Sequence, residues 1–175
     1  MGIERFFANI YSNYNIIKDI EYPYYQLDCT HLYFDFNSII HIVSKGVKSN
    51  NKDTNNIIIS KVLEYLINFL KKNVTNKKIK HIIIALDGVP SKAKMIEQKH
   101  RRYMGALIEI LLSKINKEDV NKWNKNNISP GTEFMDKLSK ALNTLEFNNL
   151  IKNICPNLNK LIISDIYHFK EGEKK

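Results

Sequence analysis

Read only for apolar and polar positions, the chain alternates between two textures. Short unbroken apolar runs stand at 32–37 (LYFDFN), 80–88 (KHIIIALDG) and 158–165 (LNKLIISD). Between them apolar residues return every three or four positions, as in 3–18, 38–46, 56–72, 92–120 and 130–142. The first texture predicts buried strands and the second amphipathic helices. The 56–72 stretch is the firmest helix, with Ile58, Val62, Leu66, Phe69 and Leu70 on one stripe. KSNNKDTNN and NKWNKNN read as polar loops, the first without core-forming residues. Strands that are continuous rather than alternating, separated by helices, predict an α/β fold. Its mostly parallel central sheet is covered by helices on both faces. No repeat of 20–50 residues interrupts this order, and 175 residues suit one domain, 1–175.

Composition narrows the class. At 43% hydrophobic and 26% charged the chain can build an ordinary globular core. Its net charge of +9, with a pI of about 9.4, favours a polyanionic partner: RNA, DNA or an acidic membrane surface. No apolar run approaches the length of a membrane span, no signal peptide is visible, and MGIERF lacks the hydroxyl residue of a myristoylation signal. Cys29 and Cys155 have no metal-type spacing, so a reducing intracellular compartment is expected.

In parallel α/β sheets ligands sit beyond the carboxyl ends of the strands. Asp35 interrupts the first apolar run, Asp87 ends the second, and Glu171 and Glu173 follow the third. Each has an ordinary reading. Asp35 caps the turn into SII, Asp87 forms an Asp-Gly turn, and the two glutamates belong to a solvated tail. Taken together these readings weaken. Glu171 and Glu173, two apart, leave an extended segment on the same side, and four carboxylates at one edge repel unless a cation joins them. Oxygen ligands without His or Cys suit Mg²⁺ or Mn²⁺, whose chemistry includes attack of water on a phosphodiester.

SKAKMIEQKHRRYMGAL follows Asp87 closely. At about 100° per residue, Lys94, Gln98, Arg101 and Arg102 share one helical face, with Ile96, Tyr103, Met104 and Leu107 opposite and expected to pack on the body. A solvated cationic face is the ordinary reading. Beside a metal site the same donors suit a terminal phosphate, while Lys92 and Lys99 add general attraction. His41, six residues after Asp35, is either a satisfied core residue or a stacking surface for a base. Tyr33, Tyr65, Tyr167 and Trp123 are expected to be packing residues.

MGIERFF, LYFDFNSIIH, IALDGVPSKAKMIEQKHRR, ISPGTEFM and KEGEKK, in that order and spacing, resemble the N-terminal blocks of the XRN family of 5′→3′ exoribonucleases. The resemblance spans the whole chain. It implies a PIN-like, flap-nuclease-like (Rossmann-type) core, incomplete at its C-terminus, that hydrolyses single-stranded RNA from a 5′-monophosphate end and releases mononucleotides. By motif, Asp35, Asp87, Glu171 and Glu173 would be catalytic and hold Mg²⁺ or Mn²⁺. Lys94, Gln98, Arg101 and Arg102 would hold the 5′-phosphate, and His41 would stack on the terminal base. Phe169, Lys170 and Lys174 depart from the family's usual Pro, Gly and His. Family members continue for hundreds of residues, so the missing C-terminal part is itself an expected partner and the isolated chain is expected to be weak or inactive. Two other readings remain open. One is an RNA 5′-end-binding module that does not cut, and the other is a flap-type DNA nuclease, against which KMIEQKHRR speaks. The family implies a cytoplasmic setting, with the nucleus, or a host's cytoplasm if the gene is viral, as alternatives.

Overall fold

A computed structural model describes residues 5–14, 28–45, 47, 53–116 and 123–164. In chain order its regular elements are α1 (Phe6–Asn13), β1 (His31–Asp35), α2 (Phe36–Val43), α3 (Thr54–Asn73), β2 (His81–Ala85), α4 (Lys92–Asn116), α5 (Glu133–Leu142), α6 (Leu145–Ile154) and β3 (Lys160–Ser164). The three strands form one parallel sheet in the order β1-β2-β3. The result is an α/β unit, a parallel sheet flanked by helices, consistent with the PIN-like nuclease core expected above.

Register decides which residues share a face. Leu32, Ile82 and Leu161 lie side by side, as do Phe34, Ile84 and Ile163. Ile82 and Ile84 are essentially inaccessible, and this face meets the core. Helix α3 supplies the core's spine: Ile58, Val62, Leu66 and Leu70, four apart and fully buried, form one stripe. Phe36 and Ile40 of α2, Met135, Leu138 and Leu142 of α5, and Ile151 of α6 complete it.

The alternate face differs from expectation. His31, Tyr33 and Asp35 of β1 are exposed there, Tyr33 by 70%, while Ile83 and Ile162 are half-buried. Among the described residues, close helical cover of the sheet is therefore a property of one face. Three further differences have local causes. β1 ends at Asp35, so Phe36 and Asn37 already belong to α2. Helix α6, which the Asn-rich segment LEFNNLIKNI conceals from propensity, is started by Thr144, whose side chain accepts the Phe147 N–H at 3.3 Å. The end of the stretch expected to be a polar loop already forms the first turn of α3 and contributes to the core region: Thr54 is buried, and Asn55 accepts a hydrogen bond from Trp123 Nε1 at 2.8 Å. Helix α5 begins as Pro-Gly suggests, with Gly131 at φ +83°, a left-handed conformation that favours glycine, and Thr132 as N-cap.

Candidate active site at the carboxyl edge of the sheet

The ends of the three strands lie in one row: Asp35 pairs with Ala85, and Ala85 with Ser164. Asp87 follows Ala85 by two residues. Asp87 therefore lies just beyond the edge at which Asp35 stands. Asp35 occupies the N-cap position of α2, yet its side chain makes no capping hydrogen bond. The turn-capping reading therefore fails, and the carboxylate stands exposed at the strand end.

Asp87 is held from two directions by Asn37, a residue that sequence reasoning passed over. Asn37 Nδ2 donates to Asp87 Oδ2 at 2.9 Å, and Asn37 Oδ1 accepts from the Asp87 backbone N–H at 3.3 Å. Asn37 is only 7% exposed, so its amide must be satisfied by partners within the fold. The signal was available: an amide in the first turn of an apolar helix, two residues after the suspect aspartate. Ser164, also buried, supplies the backbone oxygen that accepts the Leu86 N–H at 2.9 Å. Thus α2 and β3 both fasten the segment that presents Asp87.

Two carboxylates on neighbouring strand ends, with an amide beside them, form a hard-oxygen environment that fits Mg²⁺ or Mn²⁺. Among the described residues, no group of three or more His, Cys, Asp and Glu side chains is gathered for a metal. Asp35 and Asp87 contribute a pair. Glu171 and Glu173 lie outside the described residues.

Helix α4 starts five residues beyond Asp87. Lys94 and Gln98 are half-buried on it, while Arg101 and Arg102 are exposed one turn further on. The opposite side does not pack on the body as expected: Ile96 is 62% exposed, Tyr103 62%, Met104 43% and Leu107 36%. The reason is length. Twenty-five residues rise about 37 Å, and every residue from Lys99 to Leu112 is exposed, so the helix runs past the described body. Between Lys92 and Leu112 only Lys94 and Gln98 are half-buried. Lys92 and Lys99 are exposed as well.

His41 is exposed in the last turn of α2, four residues after Asn37 and hence on the same side of that helix. The core reading of this histidine is excluded by its exposure. The aromatic expectations divide. Trp123 is buried against Phe134, with ring centroids at 4.9 Å, whereas Tyr33 and Tyr65 are exposed and do not serve as packing residues. Tyr167 lies outside the described residues. Among the described helices, none is long and apolar enough to cross a membrane.

Comparison with known proteins agrees in length and direction. The pattern of the family described as XRN 5′-3′ exonuclease N-terminus matches residues 1–175. The 5′-3′ exoribonuclease 2 of Schizosaccharomyces pombe is 32% identical over 166 residues, covering 85% of this chain and 16% of the relative. The 5′-3′ exoribonuclease 1 of Saccharomyces cerevisiae is 35% identical over 153 residues, covering 81% of this chain and 10% of the relative. The chain thus spans about a sixth of the first relative's length and a tenth of the second's. With the match running from the first residue to the last, the chain belongs to the family of XRN 5′-3′ exonuclease N-termini.

Proposed function

We propose that this chain is the N-terminal part of a 5′→3′ exoribonuclease domain that hydrolyses single-stranded RNA from a 5′-monophosphate end with Mg²⁺ or Mn²⁺. The observation that carries the reading is the pair Asp35 and Asp87 at adjacent parallel strand ends, with Asp87 gripped by Asn37. Asp35, Asp87, Glu171 and Glu173 would hold the metal, which when bound supplies an activated water and neutralises charge on the scissile phosphodiester. The chain's own residues do the positioning. Asn37 keeps the Asp87 carboxylate from rotating away. Lys94 and Gln98, half-buried where α4 leaves the body, and Arg101 and Arg102 one turn on, receive the terminal phosphate, Arg forking onto its oxygens. His41 offers an exposed ring on the same side as Asn37 for the terminal base.

The 5′-end-binding alternative keeps its place for one reason: among the described residues the site gathers two acids rather than a full ligand set. Two variants separate these readings. Arg101→Ala removes one charge-assisted contact, about 1.5–3 kcal/mol, and should weaken 5′-monophosphate RNA roughly ten- to a hundredfold while sparing 5′-hydroxyl RNA. Equal losses on both ends would sink the phosphate pocket. Asp87→Asn should abolish Mg²⁺-dependent nucleotide release yet leave RNA bound. If the wild-type protein, in its longest form, releases no nucleotide either, the binding module is the right reading.

A further inference from the structure

The amino edge of the sheet, opposite the acidic pair, carries a second organised surface. Two segments far apart in sequence, 77–80 and 156–159, enclose an open cavity of about 550 Å³ with Thr30 at its wall. Three of its lining residues are Lys77, Lys78 and Lys80, and two are Asn157 and Asn159. Among the described residues that line it, none is acidic.

The walls are fixed by the fold. Lys80 N donates to Thr30 O at 2.8 Å, and Lys80 O accepts from Asn159 N at 2.8 Å and from Lys160 N at 3.2 Å. Asn157 Nδ2 donates to Lys77 O at 2.7 Å. Main-chain bonds thereby bring four lysines, counting Lys160, to one strand edge. Lys78 pairs with Asp28 at 2.7 Å, both ends exposed. Lys77, Lys80 and Lys160 are exposed too. Next to Lys160 in register stands His81, whose ring stacks on His31 at 4.5 Å, adding a flat polar surface to the cationic rim. Three exposed lysines besides the paired Lys78 give this edge a local excess of positive charge that favours an anion.

The depression is lined mostly by exposed side chains, a groove rather than an enclosed pocket. Such openness suits a polymer passing across it. We propose that this amino edge binds the phosphodiester backbone of a single-stranded RNA whose 5′ end is held at the other edge. It is a second contact, remote from the acidic pair by the length of a five-residue strand, about 16 Å. The inference rests on the RNA reading given above and adds a place where the strand is held without being cut.

The test compares two RNAs on the full chain. One is a 5′-monophosphate dinucleotide too short to reach both edges, the other an oligoribonucleotide with the same 5′ end that is long enough. Lys77→Gln combined with Lys80→Gln changes two exposed side chains, and an unaltered melting temperature confirms the fold. For single strands each phosphate contact contributes about 0.7 to the slope of log affinity against log salt. The double variant should therefore lower that slope by about 1.4 for the long RNA, weaken its binding severalfold, and leave the dinucleotide unchanged. Equal weakening of both RNAs would reduce the edge to diffuse electrostatics and overturn the inference. So would an unchanged long RNA; if Arg101→Ala still weakens it, the RNA reading survives alone. A wild-type protein that binds neither RNA overturns both.

Discussion

Replacing Asn37 by alanine removes the amide that grips Asp87 from two sides. The bond from Nδ2 to the carboxylate, at 2.9 Å, is of the charged kind, worth about 1.5–3 kcal/mol. The second bond, from the Asp87 backbone N–H, is long at 3.3 Å and belongs near the lower limit of neutral bonds, about 0.5 kcal/mol. Asp87 is half-buried, so water replaces part of what is lost. The lower end of the sum, about 2 kcal/mol, is therefore the expectation. With an m-value of about 2 kcal/mol/M, the urea midpoint should fall by about 1 M. Unfolding is followed through the fluorescence of Trp123, the single tryptophan and a core residue, alongside far-ultraviolet circular dichroism. A second variant sharpens the test. Asn37→Asp keeps size but turns a donor into a second anion against Asp87 Oδ2. Without Mg²⁺ it should be less stable than the alanine variant, and Mg²⁺ should recover part of that loss by lying between like charges. A midpoint that moves by less than about 0.25 M in Asn37→Ala, at constant m, would refute the claim that this amide organises the site.

Three further outcomes can be measured on the same protein. Leu66→Ala, in the centre of the fully buried α3 stripe, should cost about 2–5 kcal/mol by urea or thermal unfolding. Thr132→Ala should cost about 1 kcal/mol, because its hydroxyl caps α5 by accepting the Met135 N–H at 3.4 Å; replacement by serine should restore most of the loss. Burial pushes the thiols of Cys155 and Cys29 up, with Asp28 adding a smaller push to Cys29. At neutral pH both should therefore resist a disulfide reagent relative to the unfolded chain, fully buried Cys155 reacting only through opening. Rapid native labelling of Cys155 would contradict that packing.

Much of the fold was legible because the apolar texture is strong. Three continuous runs became three parallel strands, and the 56–72 stripe became the core spine. Asp35 and Asp87 were visible because each breaks such a run at a strand end. What escaped depended on contacts that sequence periodicity does not carry. Asn37 matters through a partner 50 residues away: its place two residues after Asp35 is a local hint, but the grip on Asp87 is a contact that spacing does not carry. The apolar side of α4 was read as a core face because its spacing fits one; where a helix has outrun the body it packs on, spacing has no say. Tyr33 misled for a related reason. Continuous apolar runs imply cover on both faces, and among the described residues one face of β1 remains open.

The long exposed reach of α4 carries a consequence for the timing of backbone opening. Lys94 and Gln98 near the start of the helix are half-buried, but from Lys99 to Leu112 every side chain is exposed and the turns are held mainly by their own ladder. Such a segment answers to helix–coil physics, in which each turn is gained or lost at the end of an existing one. Gly105 sits in that outer half, with nothing within 4 Å of where a Cβ would be, and glycine there is about 1 kcal/mol less helix-favouring than alanine. Amide exchange along α4 should accordingly be graded, slower in the turns around half-buried Lys94 and Gln98 and fast beyond Gly105. The turns carrying Lys94 and Gln98, where we propose that the terminal phosphate is received, lie on the slow side of that gradient, so the tip can melt and re-form many times while these two residues keep their places.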